Sequence, residues 1–152
     1  MLVGLISDTH GLIRAEALAA LDGVEMILHA GDVGGGSVLR ELAGIAPVHA
    51  VFGNTDDRIQ GLPQRLDLTL GGLKIHVSHG HEVGSPTAEK LVREYTADVI
   101  VFGHTHKPLI ETIGKTLIVN PGAAGPRRFK LQPLLALLTI KAAKATAILR
   151  HL

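Results

Sequence analysis

The sequence predicts an α/β fold with a parallel sheet, because short apolar runs alternate with segments of helical spacing. Three such runs fall within the first 56 residues, and each is followed by polar residues. In open α/β sheets, ligands bind outside the carboxyl ends of the strands, so these polar residues are candidates for a functional site. A chain of 152 residues is expected to form one domain, covering positions 1–152.

In chain order, the first half contains three predicted strands and two predicted helices. The predicted strands are 2–7, 24–30 and 47–52. The predicted helices are 14–21 and 38–43. Ser37 precedes the second helix and is the residue type that most often accepts the first free amides, so it is expected to be the N-cap.

The second half is divided by glycine and proline. Gly71-Gly72 and Gly114-Lys115 each link two short apolar segments, which is typical of a hairpin. The predicted hairpin strands are 65–70 with 73–78, and 109–113 with 116–119. Between the hairpins, Pro86 is expected to open a helix over 86–95, and the β-branched run 98–102 is a predicted buried strand. The tail segments 134–140 and 145–149 contain helix-forming alanine and leucine, but their short lengths favour a third hairpin.

Composition excludes several classes of site. The chain has no cysteine, so a metal ion would have to use His, Asp, Asn or Glu. A net charge of +1 with 3% aromatic residues gives neither a basic groove nor a stacking platform, so nucleic acid is not an expected partner. No apolar run reaches the roughly 20 residues that span a bilayer. The apolar start has the pattern of a strand rather than a signal peptide, so we expect a cytoplasmic location.

Seven potential metal ligands follow five predicted strand ends. They are Asp8, His10, Asp32, Asn54, His79, His104 and His106. Each residue alone has an ordinary explanation, such as a turn cap or a left-handed asparagine. Their joint occurrence at successive strand ends favours a metal site, because imidazole is a common metal ligand. In Gly103–His106, residues i and i+2 of an extended backbone share a face, so both imidazoles can point into one site.

In order, these residues resemble the signature blocks of the calcineurin-like metallophosphoesterases. The matching blocks are Asp8-x-His10, Gly31-Asp32, Gly53-Asn54, His79 and Gly103-His104-x-His106. With Asn120-Pro121-Gly122, the resemblance covers nearly the whole chain and looks like the compact YfcE-like phosphodiesterases. It implies two β-sheets packed as a sandwich and flanked by helices, in a four-layer α/β/β/α arrangement.

The resemblance also implies a metal-dependent phosphodiesterase that acts on a small molecule. Two divalent ions would hold the water or hydroxide that attacks phosphorus. Asp32 would bridge the ions, Asp8, His10 and His106 would complete the first metal, and Asn54, His79 and His104 the second. Manganese is the expected metal, with nickel, iron or zinc as alternatives that the mixed nitrogen and oxygen ligands also suit.

Four further residues are candidates around this site. Many larger family members have a histidine general acid directly after the Gly-Asn asparagine, and here Thr55 cannot serve as an acid near pH 7. His81 is the candidate acid instead. Asp56 could hold a histidine ligand or cap a turn. Arg127 or Arg128 could bind a phosphate oxygen.

Other functions on the same fold remain open at this stage. A scaffold without turnover, similar to the scaffold subunit of the eukaryotic retromer, is the alternative from another class. A phosphomonoesterase or a nuclease is a third possibility. The complete set of seven ligands favours an enzyme, whereas the few aromatic residues and scattered basic residues oppose a nuclease.

Overall fold

The computed structural model of the protein describes residues 1–57, 61–128 and 130–152. The strands are β1 (Leu2–Ile6), β2 (Met26–His29), β3 (Val48–Ala50), β4 (Arg65–Leu70), β5 (Leu73–Ser78), β6 (Val99–Val101), β7 (Leu109–Ile113), β8 (Thr116–Asn120), β9 (Leu134–Lys141) and β10 (Lys144–His151). The helices are α1 (Ala15–Ala20), α2 (Gly36–Ala43) and α3 (Ala88–Glu94), and a short 3-10 helix covers His81–Val83. In this described part of the chain, no helix is long and apolar enough to cross a membrane.

The strands form two five-stranded sheets. The first has the order β10-β9-β1-β2-β3 and the second the order β4-β5-β6-β8-β7. Adjacent strands pair in parallel in β1-β2-β3 of the first sheet and in β5-β6-β8 of the second. The remaining strands belong to antiparallel hairpins, and β3 is a parallel edge strand. The predicted parallel pairing is therefore confirmed for the strands whose carboxyl ends carry the candidate ligands.

The two sheets pack face to face, because alternate residues of their strands share one buried cluster. Val3, Leu5 and Leu28 from the first sheet lie in this cluster with Val77 and Val101 from the second. Side chains alternate between the two faces of a strand, so the intervening residues point outward, toward the helices. The shared inner cluster confirms the predicted sandwich.

Helices cover the outer face of each sheet. On the first sheet, Ala17 of α1 and Leu42 of α2 pack against Ile6 and Ile27. On the second sheet, α3 contributes Ala88 and Leu91, which pack with Ile100 and Ile118 of β6 and β8. Each outer cluster consists of buried apolar residues, so the layers follow the order helix, sheet, sheet, helix. This is the four-layer arrangement expected from the resemblance.

Two helix starts differ from the predictions. Ser37 lies inside α2, whose N-cap is Gly35 without a side-chain hydrogen bond, so the predicted serine cap is wrong. Pro86 precedes the N-cap of α3, which is Thr87, and the Thr87 side chain accepts a hydrogen bond from the amide of Lys90 (3.2 Å). The hydroxyl cap fixes the start of α3 two residues later than proline alone suggested.

The C-terminal tail forms a hairpin, as predicted from its short segments. β9 and β10 pair from Lys141 with Lys144 to Leu134 with His151, and β9 also pairs antiparallel with β1. The two-residue turn is Ala142-Ala143, where both residues have a positive φ. The tail thereby completes the first sheet next to its central parallel strands.

Candidate metal centre

The structure brings all seven predicted ligands together at one end of the sandwich, where the carboxyl ends of strands from both sheets meet. Backbone hydrogen bonds tie the first two loops to each other. The amide of Asp8 donates to the carbonyl of Gly31 (3.0 Å), and the amide of His10 donates to the carbonyl of Asp32 (2.9 Å). These hydrogen bonds fix the loops that carry Asp8, His10 and Asp32 relative to each other.

Glycine allows these loops to approach closely. A Cβ atom at Gly53 would collide with the backbone nitrogen of Asp32, and one at Gly103 would collide with the side chains of Ser7 and Asp8. Neither glycine has a positive φ, so space rather than conformation requires glycine at these two positions. This contact explains why Asn54 and His104 each follow a glycine.

Asp8, His10 and His106 form one potential metal-binding group. Nε2 of His106 lies 3.2 Å from Oδ1 of Asp8 and 3.4 Å from Nε2 of His10. Nε2 of His10 is 3.8 Å from the same carboxylate oxygen. The three donor atoms surround one point, as the ligands of a single divalent ion must.

Asp8, Asp32 and His79 form a second potential group. Nε2 of His79 lies 3.3 Å from Oδ2 of Asp32 and 3.9 Å from Oδ1 of Asp8. The other ring nitrogen, Nδ1, donates to the carbonyl of Ala30 (2.7 Å). A hydrogen bond of this kind fixes the tautomer and leaves the Nε2 lone pair directed at the site.

Asn54 joins the second group through its amide oxygen. Its Oδ1 lies 3.0 Å from Nε2 of His79 and 3.0 Å from Nδ1 of His104. Asp32 lies between the two groups, because its Oδ2 is also 3.7 Å from Nε2 of His10. Asp8 is likewise close to imidazoles of both groups, so the two carboxylates occupy the centre of the cluster.

Two atoms of this cluster are buried without a hydrogen-bond partner in the described residues, namely Nδ1 of His106 and, at the centre, Oδ1 of Asp8. The other oxygen, Oδ2, accepts from the hydroxyl of Ser7 (2.6 Å) and from the amide of His104 (3.2 Å). Leaving a buried carboxylate oxygen unpaired is costly, so such atoms normally have a partner or bind a cation. The carboxylates, amide oxygen and imidazoles around it fit a divalent ion that accepts mixed nitrogen and oxygen ligands.

The same contacts shift the pKa values of the ligands. Burial raises the pKa of Asp8 and of Asp32, but the imidazoles of His106 and His79 outweigh burial, so the pKa of each carboxyl is lowered. Burial lowers the pKa of His79, but Asp32 and Asp8 reverse that effect and raise it. The cluster therefore favours ionised carboxylates, which a metal site requires.

Asp56 does not contact a histidine ligand through any hydrogen bond of the described residues. Its carboxylate accepts from three backbone amides, those of Val33 (3.0 Å), Gly34 (3.0 Å) and Gly53 (2.9 Å). These amides belong to the loops that carry Asp32 and Asn54. Asp56 thus joins two ligand loops as a turn cap, which was the alternative role considered for it.

The other candidates lie around the rim. The ring of His81 is 5.4 Å from that of His79 and 6.3 Å from that of His104, between ring centroids, and its buried Nδ1 has no hydrogen-bond partner in the described residues. Burial lowers the pKa of His81, and the charge of His79 adds to this effect. Burial lowers the pKa of His10, and the charge of the exposed Arg128 adds a smaller contribution in the same direction. Arg127 is exposed on the same loop.

Sequence reasoning missed His29, which is fully buried at the end of β2. The amide of Gly31 donates to its Nδ1 (3.2 Å), so the ring proton is on Nε2, which donates to Oγ1 of Thr9 (3.0 Å). Thr9 in turn donates to the carbonyl of Val33 (2.8 Å). Burial lowers the pKa of His29 to about 4, so the ring is neutral and links the first two ligand loops. The sequence feature that could have identified His29 is a histidine inside an otherwise apolar strand.

Comparison with known proteins agrees with this geometry. The model of the calcineurin-like phosphoesterase superfamily domain matches residues 1–143. The chain belongs to the calcineurin-like phosphoesterase superfamily. It is 37% identical over 147 residues to a probable metallophosphoesterase of Methanocaldococcus jannaschii, covering 90% of this chain and 75% of the relative.

Two further proteins show how widely this superfamily fold is used. A phosphodiesterase of Methanocaldococcus jannaschii is 27% identical over 140 residues, which is 80% of this chain and 83% of the relative. The crystal structure of Vps29 from Entamoeba histolytica in complex with Zn²⁺ superposes with a TM-score of 0.81 and 27% identity over 99% of both chains. Proteins named for phosphodiester hydrolysis and for vacuolar protein sorting thus share this fold.

Proposed function

We propose that the protein is a phosphodiesterase that hydrolyses a small-molecule diester with two divalent metal ions. The observation that supports the proposal is the buried Oδ1 of Asp8, which accepts no hydrogen bond from the described residues. Nitrogens of His106, His10 and His79 surround it at 3.2, 3.8 and 3.9 Å. A buried carboxylate oxygen surrounded by imidazole nitrogens is suited to binding a cation.

The ligands divide between two ions in the proposed centre. Asp8, His10 and His106 hold the first ion, Asn54, His79 and His104 the second, and Asp32 bridges them. Manganese is the proposed metal, with nickel, iron and zinc as alternatives. When bound, such ions supply a water of lowered pKa and neutralise the phosphoryl oxygens.

Residues of the chain supply orientation and charge. Ala30 fixes the tautomer of His79, and the amide of Thr55 donates to Oδ1 of Asp32 (3.0 Å), which leaves Oδ2 directed at the site. Arg128, whose charge reaches His10, is proposed to receive a phosphate oxygen, because guanidinium matches that geometry. Arg127 is the neighbouring candidate for the same role.

The experiment that tests the proposal is metal analysis of the purified protein together with assays of bis(4-nitrophenyl) phosphate and 4-nitrophenyl phosphate. We expect two divalent ions per chain, faster hydrolysis of the diester than of the monoester, loss of activity on chelation and recovery with Mn²⁺. An undiminished rate in the chelated protein would contradict the metal mechanism. Faster hydrolysis of the monoester would favour the phosphomonoesterase alternative.

His81 is proposed as the proton donor to the leaving oxygen, because its imidazole lies beside His79 and His104. A general acid accelerates departure of a poor leaving group more than of a good one. His81→Gln should therefore reduce the rate with an alkyl leaving group by about 10²-fold or more and affect 4-nitrophenolate much less. An equal loss for both groups would assign His81 to substrate binding.

A scaffold role is the second candidate, and the likeness to Vps29 supports it. A scaffold on this fold could keep the metal ligands and show no turnover with any ester. Bound metal without hydrolysis across a panel of diesters and monoesters would favour this role over an enzyme.

A further inference from the structure

A groove of about 630 Å³ opens directly beside the candidate metal centre, with His104 in its wall. One side is formed by residues 85–87, which precede α3, and the other by residues 104, 105 and 107–109, which follow β6 and include the first residue of β7. Ligand pockets typically have volumes of about 300–1,000 Å³. The space is therefore enough for an organic group next to the reacting phosphate.

Four of the nine lining residues of the groove are apolar. Phe102, which is 2% exposed, and Pro86, which is buried, belong to its lining. Pro108 and Leu109 line the opposite side and are half-buried. An apolar group placed there would remove the exposed part of Pro108 and Leu109 from water, at about 25 cal/mol for each Å² of apolar surface buried.

Two polar side chains of the groove, those of Thr105 and Lys107, can donate hydrogen bonds to a ligand. Oγ1 of Thr105 already accepts from Nδ2 of Asn120 (3.0 Å) and from the amide of Lys107 (3.2 Å). A hydroxyl has two acceptor positions and one donor, so the remaining capacity of Thr105 is its proton. Lys107 adds an ammonium group, and no acidic residue is among the described residues of the lining.

The groove and the metal centre are built on the same loop. Thr105 lies between the proposed ligands His104 and His106, and Nδ2 of Asn120 also donates to the carbonyl of Gly103 (3.0 Å). A buried asparagine thus holds both the wall of the groove and the ligand loop in place. A molecule in the groove would lie against a residue that is proposed to bind a metal.

We propose that this groove binds one organic arm of the phosphodiester, and that the arm combines an apolar ring with hydrogen-bond acceptors. The arm is neutral or anionic, because the lining offers a cation and hydroxyl protons but no carboxylate. This specificity rests on the proposed phosphodiesterase function. It identifies the substrate class as diesters with a ring-bearing, acceptor-rich arm, in preference to simple alkyl diesters.

Two diesters with the same leaving group test the preference. Thymidine 5′-(4-nitrophenyl) phosphate has a ring-bearing arm with carbonyl acceptors, whereas methyl 4-nitrophenyl phosphate has only a methyl group. We expect kcat/KM to favour the thymidine diester by about tenfold or more, equivalent to about 1.4 kcal/mol. Equal kcat/KM values for the two diesters, with hydrolysis intact and metal-dependent, would overturn the groove assignment and leave the proposed function standing.

Substitutions on both sides of the groove test whether the preference for the thymidine diester arises there. Ser85→Trp places a large side chain in the groove from an exposed position, and Lys107→Gln removes its cation. Each should reduce the ratio of the two kcat/KM values severalfold. Thr69→Trp and Lys115→Gln are the matched controls, because both positions lie at the end of the second sheet remote from the metal centre, and both should keep the wild-type ratio.

A binding measurement separates the groove from catalysis. Saturation-transfer NMR with thymidine, which has no phosphate, should show contact with the chelated wild-type protein and with Thr69→Trp. The signal should fall in Ser85→Trp. Equal signals in all three proteins would overturn the proposal. Thymidine binding that depends on position 85, in a protein that hydrolyses no diester, would keep the groove as a binding site while contradicting the phosphodiesterase function.

Discussion

Two regions at opposite ends of the sandwich contain non-glycine residues with a positive φ, and they differ in what holds that conformation. In the described chain, five such residues are proposed metal ligands, namely Asp8, His10, Asp32, His104 and His106. The other two, Ala142 and Ala143, form the β9–β10 turn. A backbone of this kind costs about 1–3 kcal/mol per residue unless the surroundings determine it.

At the metal centre the surroundings do determine it. The amides of Asp8 and His10 donate to the neighbouring ligand loop, and the amide of His104 donates to Oδ2 of Asp8. Aspartate and histidine also enter the left-handed region more readily than most residues. The residue types that suit a metal therefore also lower the cost of the backbone that presents them.

The alanine turn has no comparable support, because a methyl group offers no hydrogen bond and both alanines are exposed. Two-residue hairpin turns with positive φ at both positions prefer Asn-Gly or Asp-Gly. The positive φ values at the metal centre are thus associated with a proposed function, whereas those of the alanine turn are not. Substitutions at the two ends should separate these cases.

The largest effect is expected from Asp32→Asn. Asparagine tolerates the positive φ of this position, and its Oδ1 can still accept from the amide of Thr55, so the change removes charge and keeps the backbone. Supporting residues around metal ligands are typically worth 10–100-fold in affinity or activity, so loss of the bridging charge should reduce hydrolysis by at least about 10²-fold. Metal content and kcat/KM are the measurements.

Thermal unfolding distinguishes this effect from misfolding. Metal should raise the Tm of the wild type, because a ligand that binds only the folded state stabilises it, and should raise the Tm of Asp32→Asn much less. The chelated proteins should unfold at similar temperatures. Two bound metals and full activity in the variant would remove Asp32 from the bridging role.

The next largest effect is expected at His29, which orders the strained loops without facing the site. His29→Leu leaves the amide of Gly31 and the hydroxyl of Thr9 without their buried partner, so the first two ligand loops lose a connection. We expect about 10–100-fold weaker metal binding, as for other residues that orient metal ligands. His29→Gln, whose amide can donate to Thr9, should recover part of the loss. Wild-type affinity in His29→Leu would show that the loops keep their geometry without it.

His29 should also affect the pH dependence of stability. Its pKa is about 4 in the folded protein and 6.5 in the unfolded chain, so between these values the unfolded state binds more protons and stability decreases as the pH is lowered. At about 1.4 kcal/mol per pH unit, the chelated wild type should lose about 3 kcal/mol more than His29→Gln between pH 6.5 and pH 4. Urea unfolding at both pH values measures this, and parallel losses in the two proteins would contradict the assignment.

The contrast between His29 and the seven ligands shows how far the sequence could predict this site. The ligands follow strand ends and glycines, so local patterns marked them, and Gly71-Gly72 marked a hairpin in the same way. His29 lies inside an apolar strand, and its role depends on Thr9, twenty positions away. The role of Asp56 could not be decided from the sequence for a similar reason, since its three amide partners lie on two loops that only the folded sheet brings together.

The order of the strands in the two sheets could not be predicted from local sequence patterns. The tail hairpin was favoured from its short segments, yet nothing in them indicated that β9 would pair with β1 at the other end of the chain. The start of α3 was mispredicted because proline and a hydroxyl cap are both common at helix starts, and only the hydrogen bond from Lys90 to Thr87 decides between them.

The smallest effect is expected at the unsupported turn. Replacing Ala142-Ala143 with Asn-Gly should stabilise the protein by about 1 kcal/mol, because both new residues accept a positive φ at little cost. For a chain of this size the gain corresponds to a Tm increase of about 2–4 °C. Metal affinity and kcat/KM should not change, since the turn lies at the end of the first sheet remote from the ligands.

Ala142→Val is the opposing control and should lower the Tm, because a β-branched side chain fits a positive φ poorly. A Tm that is unchanged in Asn-Gly would show that the turn stores no strain, and the contrast between the two ends would then reflect residue identity alone.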